Sequence, residues 1–181
     1  MTVFIIIISI ILWLASIWCL FGRQVIAPAL SYVALLVLSF ANNDIGSQLL
    51  PINNVMLIGW LCMTLVVMMT TMLQPEAIRR QIKGMAFLVV GGIVGLALGL
   101  LGFSVASSIS MRYSVMILAV AGGIILGFVL YTLTPEGRPV GTGSKNFFKY
   151  LLAKGFPTAI TLMQLGIALV LTIAMKNVNG L

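Results

Sequence analysis

Six long apolar runs constrain this chain more than any other feature. They span residues 3–22, 25–41, 55–73, 84–104, 114–133 and 157–175, and none has Asp, Glu, Lys or Arg in its interior. About 20 apolar residues in a helix cross a hydrocarbon core of about 30 Å. Lipid offers the backbone no hydrogen-bond partner, so such a segment must satisfy its own amides by coiling. The chain therefore reads as an all-α integral membrane protein: a single transmembrane domain over residues 1–181, built as a six-helix bundle. Only 7% of its residues are charged, against roughly 25% in soluble domains. The first run lacks a basic leader and a small-x-small cleavage site, so it is expected to stay as a helix.

Orientation follows from the basic residues. Arg23 lies in the first loop, Arg79, Arg80 and Lys83 in the third, and Arg138, Lys145, Lys149 and Lys154 in the fifth. The even loops and the tail hold only Arg112 and Lys176. This asymmetry places the odd loops in the cytoplasm and both termini on the non-cytoplasmic side. Short loops and the absence of an N-x-S/T acceptor suit a bacterial inner membrane. The net charge of +7 is spread over loops rather than gathered on one face, which argues against nucleic acid as a partner. All six prolines (28, 51, 75, 135, 139 and 157) fall in loops or near span starts, where a missing N–H costs little.

Two short strings recur sixty residues apart. Val55-Met56 returns as Val115-Met116, and Leu73-Gln74-Pro75-Glu76 as Leu133-Thr134-Pro135-Glu136. They suggest three helical hairpins, each entering from outside. The plainer explanation is that Pro-Glu is an ordinary helix start, with Thr134 as an N-cap. In layout alone, three hairpins with both termini outside resemble the small urea and amide channels; no residue motif of that family is matched.

Glycine marks the expected close contacts. Gly91, Gly95 and Gly99 form small-xxx-small steps on the fourth span, and Gly123 and Gly127 repeat the spacing on the fifth. Without Cβ atoms two helix backbones can approach closely, within one chain or between subunits. Gln164, with Thr161 and Thr158 on the same helix, is the candidate polar site within the bundle. A buried amide needs partners, so it should face other helices or a wet cavity. The plainer reading is one interhelical hydrogen bond; the functional reading is a contact for a neutral, hydrogen-bonding solute.

Three further features have modest readings. Met56, Met63, Met68, Met69 and Met72, beside Cys62, could offer soft sulfur to Cu(I), but methionine is a common core filler and core packing is expected. The stretch 41–48, with Asn53 and Asn54, is polar and reads as a solvated outer turn. After a glycine-rich stretch, Phe147, Phe148, Leu151 and Leu152 form one arc of a short helix, with Lys145, Asn146, Lys149 and Lys154 on the other. This pattern predicts an amphipathic interfacial helix whose Lys145, Lys149 and Lys154 contact lipid phosphates.

These features weigh against an enzyme, since the chain has no histidine and only three carboxylates, all outside the spans. No metal or cofactor is implied. Pumps mark their path with intramembrane ionisable groups, and here there are none. The expected function is that of a structural or accessory subunit of a membrane complex, whose partners are lipids and other membrane-protein subunits or copies of itself. The alternative is a passive channel or transporter for a small neutral or apolar solute or a lipid.

Overall fold

The computed structural model describes residues 2–42, 54–80, 83–105, 109–140 and 145–179. Among them there is no strand. The helices are α1 (Thr2–Gly22), α2 (Ala27–Asn42), α3 (Asn54–Met72), a one-turn α4 (Glu76–Arg79), α5 (Met85–Val105), α6 (Ile109–Leu133), α7 (Lys145–Tyr150) and α8 (Phe156–Asn179). Five helical stretches are long and apolar enough to cross a membrane: Phe4–Gly22, Asn54–Met72, Met85–Gly102, Met111–Leu133 and Asn146–Ile173. The apolar part of α2, Ala27–Phe40, is shorter, yet Ala27, Ala34, Leu35 and Leu38 are fully buried.

The last span is the hub. Two thirds of it (67%) is buried inside the protein, against 17% of α1 and of α3. It touches α1, α2, α3, α5 and α6. Around it stand two tight antiparallel pairs. In the first, Ser16 of α1 donates to the Ala27 carbonyl of α2 at 3.0 Å. In the second, α5 and α6 make the most intimate contact of the fold. The third helix lies on α2 and α8 rather than pairing with α5. The three-hairpin plan suggested by the sixty-residue repeat is therefore not the packing observed, and the resemblance in layout to urea and amide channels goes with it.

The repeat also divides at its best-matching residues. Pro75-Glu76 does open a helix, α4, in which Glu76 pairs with Arg80 at 2.6 Å. Pro135-Glu136 instead forms a turn leading to a 3-10 segment, Arg138–Val140. Thr134 makes the N-cap bond to this turn, its hydroxyl accepting the Gly137 N–H at 3.2 Å, while it also donates back to the Tyr131 carbonyl at 2.7 Å at the C-terminus of α6.

The segment expected as a separate interfacial helix is continuous with the last span. A π-helical turn, Leu151–Gly155, joins α7 to α8, and helical geometry holds at Tyr150 and Phe156 on either side. The widening has a local cause. Pro157 has no N–H to return to the carbonyl four residues back, and the preceding N–H, that of Phe156, reaches back five residues to Leu151. A π-turn inside an α-helix accommodates such a mismatch. Pro157 thus sits within a helix instead of at its start. Its 28-residue apolar stretch measures about 42 Å at 1.5 Å per residue, longer than the hydrocarbon core of about 30 Å.

The basic loops share one end. Gln24, beside Arg23, donates to Met85 Sδ at 3.6 Å. Lys83 faces Glu136 at 3.8 Å, and α4 touches α7. Of the outer turn read over 41–48 with Asn53 and Asn54, residues 43–53 lie outside the described residues, while residues 41 and 42 belong to α2 and Asn54 opens α3.

Candidate functional site: a sealed polar layer and two apolar grooves

Gln164 is fully buried and both ends of its amide are occupied. Its Oε1 accepts from Ser31 Oγ of α2 at 2.5 Å, and its Nε2 donates to Thr64 Oγ1 of α3 at 2.8 Å. Thr64 passes its own proton to the Trp60 carbonyl at 2.7 Å. One amide therefore ties α8 to α2 and α3. Thr158, six residues earlier, bonds the Lys154 carbonyl at 2.7 Å. Thr161 is equally buried, and its hydroxyl, like the Trp13 indole N–H, has no protein partner among the described residues. The sequence pointed to Gln164 and Thr161 but not to Ser31 or Thr64. A single hydroxyl in an apolar helix carries no sign of which distant amide it will meet.

The five glycines singled out are brought together by the α5–α6 pair. A Cβ on Gly91 would overlap the Gly123 carbonyl oxygen, and one on Gly95 that of Ala119. A Cβ on Gly127 would meet the Phe87 carbonyl, and one on Gly99 would lie 3.1 Å from Met116 Cα. The contact lies within one chain. It is a backbone-to-backbone approach of the kind that dispersion and weak Cα–H···O contacts sustain. Because side chains are missing along this seam, an open groove of about 450 Å³ runs over it, lined by Phe87, Val90, Val94, Leu126 and Leu130 with Gly91, Gly123 and Gly127.

The three lysines assigned to lipid phosphate divide. Lys149 is exposed, the side chain of Lys145 lies outside the described residues, and Lys154 is fully buried. Its ammonium donates to the Arg79 carbonyl at 3.3 Å and lies 5.9 Å from the Tyr150 ring centre. The lipid-contact expectation for Lys154 is thereby corrected. Residue 154 follows Phe147 by seven, nearly two full turns, so it belongs on the arc of Phe147 and Leu151. That arc faces the protein: Phe147 and Tyr150 lie 4.7 and 4.8 Å from the Phe128 ring, and the Tyr150 hydroxyl donates to the Lys83 carbonyl at 2.7 Å. Phe148 points outward.

The methionines of α3 divide: Met56 packs against a core cluster and Met68 is half-buried. Met63, Met69 and Met72 are exposed, as is Cys62. The buried face of this helix is Thr64, Val67 and Thr71. Among the described residues no cluster of His, Cys, Asp or Glu could hold a metal.

A second groove, about 300 Å³, opens between α3 and α6. Trp60 and Met63 form one wall and Ile117, Ala121 and Ile125 the other, while Ala159, Ile160 and Met163 of α8 make the floor. Every lining residue is apolar. Neither groove is lined by Gln164 or Thr161. Comparison of this chain with known protein families, curated proteins and solved structures finds no match.

Proposed function

We propose that this protein is a non-enzymatic accessory or structural subunit of a membrane complex, and that the α5–α6 flank docks a transmembrane helix of another subunit. The observation that carries the reading is the groove floored by Gly91, Gly123 and Gly127. A ridge of side chains from a third helix fits a groove between two others, and a glycine floor lets it come close. The polar layer supports the same reading, because Ser31, Gln164 and Thr64 spend their hydrogen bonds on holding helices together. The proposal takes α2 as a sixth, short span and both termini as non-cytoplasmic, in an inner-membrane setting. The shared end of Arg23, Arg79, Lys83 and Lys149 supports that orientation under the positive-inside rule.

The test is a mild-detergent isolation of tagged protein, read by native mass and peptide identification, for wild type, Val94→Trp and Leu126→Trp. Both side chains line the groove and are exposed, so filling it leaves the α5–α6 seam intact. A stoichiometric partner lost from both variants supports the docking face. A partner retained by both, or a lone monomer throughout, sinks it.

A second reading is a passive route for a small neutral solute. The partnerless hydroxyl of Thr161, one turn from Gln164, favours it. Solute flux in proteoliposomes that is lost in Gln164→Leu would bring it forward.

A further inference from the structure

The groove between α3 and α6 is a wedge. At one end the two helices meet, where the Tyr113 hydroxyl of α6 reaches Met56 Sδ of α3 at 3.4 Å. Asn54 and Ile109, which begin these helices, lie at that end. Beyond that contact, residues of α8 line the space between the two helices as a floor. The wedge finishes on Leu151, Gly155 and Phe156, at the π-turn. This open end is the basic end of the molecule. Both α3 and α4 touch the π-turn, and Lys154, beside Gly155, bonds the Arg79 carbonyl. Lys149 stands on α7, which also touches α4. Among the described residues Glu76 is paired with Arg80 and Glu136 with Lys83, while neither Arg79 nor Lys149 forms an ion pair with a carboxylate.

We propose that this wedge is a binding site for one anionic phospholipid of the leaflet at the basic end. An acyl chain lies between α3 and α6, and the phosphate lies at Arg79 and Lys149. Three observations select this occupant. The lining is wholly apolar, which suits a hydrocarbon and no polar solute. The volume of about 300 Å³ takes a slim, flexible chain, whereas a helix about 10–12 Å across is too wide. At the open end Arg79 and Lys149 have no acidic partner among the described residues, so a headgroup phosphate completes them. The chain enters at the basic end and stops where Tyr113 meets Met56.

The experiment is native mass spectrometry of the delipidated full chain, titrated with phosphatidylglycerol or with phosphatidylcholine of the same acyl chains. Wild type should retain one phosphatidylglycerol in preference to phosphatidylcholine. Arg79→Gln with Lys149→Gln should reduce phosphatidylglycerol retention by about tenfold or more, to the level of phosphatidylcholine. Ala159→Phe, which fills the wedge, should reduce both lipids; Ala121→Leu fills it from the other wall and replaces Ala159→Phe if that variant misfolds by circular dichroism. Equal retention of the two lipids by wild type overturns the headgroup assignment. Undiminished retention in a folded wedge-filling variant overturns the site. A dimer of this chain that the wedge-filling variant abolishes, with lipid retention unchanged, gives the wedge to a second copy and also overturns the proposal.

Discussion

The amide nitrogen of Gln164 lies 2.8 Å from the hydroxyl of Thr64, one hundred residues away in the chain. On the other side of the same amide, Ser31 closes the bridge from α2. The three side chains form one layer across α2, α3 and α8 that ties the peripheral α3 to the hub, beside the packing of Met56, Leu57 and Trp60 on the core. In lipid an interhelical hydrogen bond is worth about 0.6 kcal/mol on average and up to about 1.7 kcal/mol. A double-mutant cycle of Gln164→Leu and Thr64→Val, by unfolding in detergent, should give a coupling in that range. Thr64→Val alone should cost more than the coupling, because it strands a buried amide donor, a loss of about 1–3 kcal/mol. Additive single effects would mean that the two groups do not bond.

Gly95→Leu is expected to be among the most damaging substitutions. Its Cβ alone overlaps the Ala119 carbonyl oxygen, so the helices must separate and lose the seam. Overpacking by side chains costs about 1–3 kcal/mol, and a backbone obstacle should place this variant at or above the top of that range. Gly122→Ala is the control, since nothing lies within 4 Å of its added Cβ. Thermal unfolding followed by helicity should leave Gly122→Ala at least as stable as wild type and lower Gly95→Leu by many degrees. A Gly95→Leu protein that unfolds like wild type would falsify the seam.

Lys154 and Lys149 should differ sharply in reactivity. Amine acylation of folded protein, read by peptide mass, should modify exposed Lys149 freely and Lys154 roughly tenfold more slowly or less, since its labelling waits on local opening. Denaturation should erase the difference. Lys154→Met keeps the packing and removes one hydrogen bond, so it should alter stability by about 1 kcal/mol or less. Comparable labelling of both lysines in the folded state would return Lys154 to the lipid surface.

Tyr150→Phe isolates the hydroxyl from the ring. The stack on Phe128 stays, while the bond to the Lys83 carbonyl goes, at a cost of about 0.5–1.5 kcal/mol. Amide exchange should quicken near Gly84, the turn that enters α5. That turn has φ of +81° at Gly84, and a Cβ there would strike the Tyr131 ring. Unchanged exchange in this turn would show that the ring stack alone fixes it.

Much of this molecule was legible in its sequence. Long uncharged apolar runs have one backbone solution in lipid, so the helices and their approximate bounds followed from composition alone. Glycine spacing pointed to close contact, because an absent Cβ acts locally. The arc that groups Lys154 with Lys145 and Lys149 does not hold: seven residues are nearly two turns, so Lys154 falls beside Phe147 and is buried. Three things had to come from the tertiary structure. The hydroxyls that meet Gln164 depend on which helices adjoin α8, and apolar spans attract one another without distinguishing partners. Pro157 accounts locally for the widening, but that the helix runs on through it goes with Phe147 and Tyr150 being held against α6 and Lys154 against α4. The wedge between α3 and α6 exists because α3 settles on α2 and α8. A helix can lie against any apolar neighbour, and only the three-dimensional packing decides which gap remains open.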